Sequence, residues 1–533
     1  MRTKLVGSLF ALSLLAILAT SVAWAAGQPE PGRSPAILRI GTPNEVKSPN
    51  LFSDYYLGIF AKISNPPLMR MTPDGMLEGL TAERFETSTD NTVWTFLIRD
   101  DLYWSDGRKL TAEDVRFSIE YTGQHNPSAR WIKDTLESSS VEGERAVVLR
   151  FNKPYTTLAL EFTTYNILPK HLWENVTDPM QRTNPGVNVG SGPFIIEAID
   201  LDAGVVRFAR NRHWRGQQPR LEGFEIHMYK NLDVLSLALE KGEVDTFYQY
   251  ASSYPYAGID RLEATGGFEF VEKPNLGLVF LGFNLNRSPL DDRSFREALS
   301  YAVDYPEVLK LDTLGYGQVP TRGFVPPSMG GFRSTTALSH DPQKARRLLD
   351  AAGYRDTDGN GWLEDLAGKE IRLSILVRSE WARLGELVAD YLNRVGIRSS
   401  LRSLEMSSWV AEKDNFNYDL VITRTTPWGM LMHAGWGTGY FDSRRSGQGV
   451  LHVLQDPEFL ALADEILATA DPGRREAQAR RVQEYYAREL PAIALYWNMI
   501  VTPYNRVFTG WKPDPLFGIY NRDTLLSVEK RTD

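Results

Sequence analysis

The chain of 533 residues contains no cysteine. Disulfides, thiolate metal sites, a cysteine nucleophile and a lipid-anchored N-terminal cysteine are therefore excluded. Lys and Arg never gather into a basic block, and the net charge of −8 is two units more negative without Arg2 and Lys4. Nucleic acid is not an expected partner, because phosphate binding relies on clustered cations. Beyond the N-terminal region no run is long and apolar enough to be read as a transmembrane helix. The motifs G-x-S-x-G, H-E-x-x-H and G-x-x-x-x-G-K-[ST] are absent as well. Gly190-Ser191-Gly192 runs straight into Pro193, GWGTGY lacks the last glycine of a dinucleotide loop, and the seven histidines form no i, i+4 pair. A secreted hydrolase stays open as a rival reading, since a carboxylate pair is hard to see in sequence.

Arg2 and Lys4 precede the apolar run Leu9–Ala25, which ends on Ala23-Trp24-Ala25. A basic start, an apolar middle and a small-x-small site describe a cleavable signal peptide over residues 1–25; an uncleaved membrane anchor is the alternative. The polar stretch GQPEPGRSP favours cleavage and reads as a linker over residues 26–35. An exported chain without a lipid attachment points to a periplasmic protein. The 13 Trp, 23 Tyr and 24 Phe fit either large cores or an aromatic cleft for a flat or apolar ligand.

Strands and helices alternate without a repeat. AILRIGTP, WTFLIRDDLYW, VVRFARN and GFEIHMY read as strands. LTAEDVRFSIEYT is a helix with Thr111 as N-cap and Asp114 three residues on. LDVLSLALEKGEVD sets Leu232, Leu235 and Leu239 on one helical face and stops at Gly242. SFREALSYAVD is helical by the spacing of Phe295, Ala298, Leu299, Ala302 and Val303. EIRLSILV alternates with a period of two, LGELVADYLNRVGI follows as an amphipathic helix, and IRSSLRSL and NYDLVIT complete a βαβ-like unit. The fold class is α/β or α+β, with helices covering mixed sheets.

Two stretches invite metal. In DTDGNGWLED, Asp356, Asp358, Asn360 and Gly361 match positions 1, 3, 5 and 6 of a calcium loop, while position 12 is Ala367. Glu364 or Asp365 would have to complete the shell; the alternative is a hydrated Asx/Gly turn. In RTTPWGMLMHAGWG, Trp428 and Trp436 flank His433 in a loop that follows a strand. His433 can be a nickel ligand, a cleft-lining side chain or an ordinary loop residue. A catalytic base is the least supported role, with no nucleophile or partner carboxylate in view.

WTFLIRDDLYWSDGRKLTAEDVRFSIEY, GSGPFIIEAIDLDAGVVRFARNRHW, LEKGEVD, FNLNRSPLDDRSFREALSYAVD and DPQKARRLLDAAGY occur in this order. Together they resemble the family 5 extracellular solute-binding proteins of ABC importers, from about Ile37 to the C-terminus. The resemblance implies a two-lobed periplasmic binding protein of type II, cluster C-like, with mixed sheets, an interlobe cleft and an extra subdomain in lobe I. Lobe I would comprise residues 36–73, 189–283 and 499–533, the inserted subdomain residues 74–188, and lobe II residues 284–498. LGFNLN and PAIALYWN would be the crossing strands. The family binds and delivers rather than reacts, so the chain is expected to be a monomeric receptor that hands a solute to an ABC permease and its ATPase.

The ligand is expected to be an oligopeptide or peptide-like solute, with a nickel chelate as the alternative. The dipeptide branch holds the peptide amine with an Asp after the strand corresponding to NYDLVIT; here the first acid is Asp442. Arg383 lies one position from that branch's carboxylate-binding Arg, Arg378 is near it, and either can hold a carboxylate bidentately. RTTPWGMLMHAG is similar to a stretch of the nickel branch, with Arg424, Thr425 and His433 in register. Trp131 is similar to a tryptophan that packs on the bound chelate, and Arg130 beside it can serve as an anion partner. The candidate ligand contacts are thus Arg130, Trp131, Arg383, Arg424, Trp428, His433, Trp436 and Tyr440.

Overall fold

One strand, Ala492–Asn505, belongs to both halves of the principal sheet. In the computed structural model, residues 36–531 are described, apart from 73–76, 155–157, 181–185, 426–436, 445–450, 452–453 and 470. The expected signal peptide and linker, and Trp428, His433 and Trp436, lie outside the described residues.

The first part of the shared strand pairs antiparallel with Val279–Phe283, and that strand pairs antiparallel with Leu420–Arg424. Arg372–Arg378 runs parallel to Leu420–Arg424 on one side and to Arg398–Leu404 on the other. The helix Ala382–Arg394 joins the two parallel strands, so the expected βαβ unit is present with a mixed sheet around it. Alternation decides the two faces. Leu373, Ile375, Val377, Leu281, Phe283, Leu420 and Ile422 enter one core, while Leu376, Phe280 and Val421 enter the other. Both faces are covered, which is why these strands read as nearly continuous apolar runs.

The second part of the shared strand pairs antiparallel with Phe268–Pro274 and Thr246–Phe247. From there the sheet continues through Ile37–Thr42 and Gly223–Met228, both parallel, to the antiparallel strands Val205–Arg210 and Phe194–Asp200. Two α/β lobes therefore share one twelve-stranded sheet. The chain crosses between them twice, from Pro274 to Val279 and from Tyr496 to Met499. The first crossing precedes the boundary expected at Asn284, because the apolar strand Val279–Phe283 pairs on the far side.

Leu136–Glu142, Ala146–Phe151, Val93–Ile98 and Ala82–Thr87 form a separate four-stranded antiparallel sheet. The helix Ala112–His125 shares a core with it and opens on a complete capping box, Thr111 accepting from the Asp114 amide and Asp114 from the Thr111 amide. This core takes Leu68, Met69 and Trp214 from outside residues 74–188. Among the described residues no helix is long and apolar enough to cross a membrane.

Candidate ligand cleft

Arg424 is the last residue of its lobe II strand, and its guanidinium reaches the other lobe. It donates to the Ala251 carbonyl at 3.1 Å and to the Ser252 hydroxyl. Ala251 holds φ at 50°, a left-handed conformation uncommon for a residue with a Cβ. Its carbonyl is thus presented to Arg424 by a backbone turn that costs about 1–3 kcal/mol to hold. The Arg424 charge also acts on the phenols of Tyr56, Tyr250 and Tyr496. Burial pushes all three up, and the cation works against that rise.

Arg378, at the end of the Arg372–Arg378 strand, is the second cation. Its guanidinium carbon lies 4.1 Å from the Trp381 ring centre and 5.8 Å from that of Trp409. Burial lowers its pKa to about 10, and Arg424 adds to the lowering. Glu380 raises it, with its Oε1 only 2.5 Å from Nη2. Both arginines act on Tyr56, which stands on the lobe I helix Tyr55–Phe60. The two lobes thus face each other across a zone of tyrosines with two guanidiniums on the lobe II side.

Arg383 stands four residues past Glu380's neighbour Ser379, exposed, on a cavity of about 280 Å³ lined by Leu311, Asp312, Leu384, Glu386 and Leu387. Asp312 accepts from the Tyr496 hydroxyl at 2.5 Å; burial raises its pKa, while the Tyr496 bond and the Arg383 charge oppose the rise. Tyr440 is buried, edge-on to Phe280, with its phenol near that of Tyr250. Trp131 is built into the subdomain core, donating to the Tyr165 hydroxyl at 3.0 Å and stacked on Phe151. Arg130 is 79% exposed, 3.8 Å from Asp134 one helical turn on. Of the expected contacts, the structure brings together Arg424 and Tyr440 beside Tyr250, with Arg383 nearby through Asp312 and Tyr496.

Asp442 is only 1% exposed and is held by Arg444 through both carboxylate oxygens, at 3.0 and 2.9 Å. The first acid after the Leu420–Arg424 strand is therefore already neutralised. Tyr56, Tyr250, Trp381 and Trp409 were not singled out by sequence. The one local signal for Arg378 was a cation ending an otherwise apolar strand, with Trp381 close behind it.

In the Asp356 loop, three carboxylates, Asp356, Asp358 and Glu364, approach within 4.8 Å of one another. Asp356 accepts from the amides of Gly359, Asn360 and Gly361, and Glu364 from that of Thr357. These bonds are those of an Asx-type turn, and the buried Glu364 falls three residues before Ala367, which holds the closing position of the sequence pattern.

Residues 77–447 match the model for bacterial extracellular solute-binding proteins, family 5 Middle. The chain is 25% identical over 501 residues to a probable peptide-binding protein, YejA, of Agrobacterium fabrum, covering 80% of this chain and 79% of that one. It is 24% identical over 439 residues to the nickel-binding periplasmic protein of Escherichia coli, covering 78% and 80% respectively. In fold it is similar to the oligopeptide-binding protein AppA of Bacillus subtilis, solved with a nonapeptide, with a TM-score of 0.76 at 18% identity over 94% of this chain and 100% of that one. A shared strand, two lobes and a matching span this long leave one conclusion: the chain belongs to the family 5 bacterial extracellular solute-binding proteins.

Proposed function

We propose that the protein is a periplasmic receptor that takes up an oligopeptide or peptide-like solute between its lobes and delivers it to an ABC permease and its ATPase at the inner membrane. The observation that carries this reading is the Arg424 bridge from lobe II to Ala251 and Ser252 of lobe I, set among tyrosines from both lobes. A receptor of this kind needs open and closed arrangements that differ little in energy, so that ligand contacts to both faces favour closure. Tyrosines suit this task, giving apolar area and a polar tip for main-chain groups of varied sequence. The similarity to a peptide-binding protein supports the ligand class. The leader read at residues 1–25 and the lack of cysteine support export without a lipid anchor.

A nickel chelate is the second reading, supported by the similarity to a nickel-binding protein and by the register of Arg424, Thr425 and His433. Calorimetry with short peptides, and separately with Ni²⁺ plus histidine, divides the two. Heat from peptides with a silent nickel arm supports the first; the reverse supports the second. A bound peptide recovered uncleaved after long incubation is the expected outcome for a receptor, whereas cleavage would restore the hydrolase reading.

A further inference from the structure

Asp312 is a carboxylate with one oxygen engaged and one open. It stands in the last turn of the lobe II helix Tyr305–Thr313 and lines the cavity of about 280 Å³ that Arg383 and Glu386 also meet. Oδ2 accepts from the Tyr496 hydroxyl at 2.5 Å. Oδ1 accepts from no described residue, yet it is not sealed off from solvent. Among the described residues no Lys, Arg or His forms an ion pair with Asp312; Arg383 acts on it only through space. Burial makes this charge costly, and one phenol does not replace the water a carboxylate loses. A cation brought against Oδ1 therefore gains more than it would at a hydrated carboxylate.

The walls decide which kind of cation fits. Leu311, Leu384 and Leu387 make the cavity apolar around Asp312. Two carboxylates, Asp312 and Glu386, stand against the single guanidinium of Arg383, and Glu386 and Arg383 are both exposed, where water screens them. A guanidinium is held best by both oxygens of a carboxylate, whereas a compact ammonium needs one. With Oδ2 taken by Tyr496, Asp312 offers one. The leucine walls suit the four-carbon stem that carries a lysine ammonium. Tyr496 ties the cavity to the tyrosine zone, since its phenol feels both Asp312 and Arg424.

Resting on the receptor reading above, we infer that this cavity is a side-chain pocket for an alkyl-ammonium arm such as that of lysine. Asp312 Oδ1 accepts from the ammonium, and the three leucines cover the stem. Tyr496 holds the carboxylate in place by its other oxygen. Arg383 opposes the incoming cation from the rim. Removing its charge therefore strengthens the hold on a lysine arm, which loss of a merely structural side chain does not do.

The test offers the protein an equal mixture of four tripeptides: alanyl-lysyl-alanine, alanyl-norleucyl-alanine and the N-acetylated form of each, with bound peptides identified by mass spectrometry. Norleucine keeps the stem and lacks the ammonium. The wild type is expected to retain lysine over norleucine by roughly tenfold to a hundredfold in both pairs, the range for a hydrogen bond to a charged group. Asp312→Asn, which keeps an acceptor for the Tyr496 hydroxyl, brings lysine down to the norleucine level. Arg383→Gln raises the ratio of lysine to norleucine. Lysine and norleucine retained equally by the wild type would overturn the pocket and leave the peptide reading standing. A preference that follows the free N-terminus instead of lysine would overturn it as well, as would a lysine preference that survives in Asp312→Asn. Silence toward all four peptides overturns the peptide reading and the pocket with it.

Discussion

Asn275 and Asn498 pair twice where the chain crosses between the lobes: the Asn275 amide donates to the Asn498 carbonyl at 3.1 Å, and its side-chain Nδ2 to Asn498 Oδ1 at 3.0 Å. Ser328 of lobe II donates to the Asn275 carbonyl at 2.6 Å, and Asn498 Nδ2 donates to the Tyr256 hydroxyl of lobe I at 3.1 Å. Side chains from both lobes thus converge on the two crossing strands. Asn275→Ala removes the side-chain bond and leaves the Gly277 amide without its acceptor. A loss of about 1–3 kcal/mol in chemical denaturation is expected, with secondary structure unchanged by circular dichroism.

Gly277 lies against the end of the Leu420–Arg424 strand. A Cβ there would meet the Thr425 carbonyl oxygen at 2.2 Å, in backbone rather than a yielding side chain. Leu278 and Thr425 exchange bonds next door, the Leu278 amide to Thr425 Oγ1 at 3.0 Å and the Thr425 amide to the Leu278 carbonyl at 2.9 Å. Gly277→Ala must push these apart and is expected to cost about 1–3 kcal/mol. Faster amide exchange at Thr425 would locate the effect, and an unchanged melting temperature would refute it.

Arg424→Met keeps the aliphatic stem and removes the donors to Ala251 and Ser252. The ligand-free protein is expected to shift toward the open arrangement, seen as a larger radius of gyration in solution scattering. Affinity for the retained solute should fall about tenfold to a hundredfold, the range for hydrogen bonds to a charged group. Equal scattering profiles for variant and wild type would show that Arg424 does not bridge the lobes in solution.

Burial pushes the Asp514 carboxyl up to about 7 from an ordinary value of 3.8, against the opposing donors Leu516 and Phe517. The folded state therefore holds this proton more tightly than the unfolded chain. Its contribution to stability is complete below the ordinary value and is lost as the pH rises through about 7. Asp514→Asn keeps an acceptor for both amides and removes the titration. Melting temperatures measured from about pH 5 to about pH 8 should fall for the wild type and change less for the variant.

Local elements were legible because their signals are local. The Thr111/Asp114 capping box is present as read, and the period-two run Ile371–Val377 buries the residues its alternation selects. Long-range relations were not legible in the same way. Nothing near Arg378 in sequence announces Trp409, which reaches it through the parallel pairing of Arg372–Arg378 with Arg398–Leu404. Nor does Asp442 show by itself that Arg444 claims both its oxygens, since the same dipeptide spacing fits an exposed turn. The strand Val279–Phe283 precedes the boundary expected at Asn284 yet belongs to lobe II for a related reason: sequence marks it as buried, but only its partners say on which side. Arg424 was found through its family register, whereas its grip on Ala251 depends on a backbone turn in the other lobe.

The double crossing also has a mechanical meaning. Lobe II enters after Pro274 and leaves before Met499, and those two residues sit opposite each other in the ladder. A body attached at one narrow neck can swing by twisting a few backbone torsions there, while its interior contacts stay as they are. The speed of gating would then answer to substitutions at the neck and scarcely to those deep inside either half, so capture rate and thermal endurance become separately adjustable properties of the same molecule.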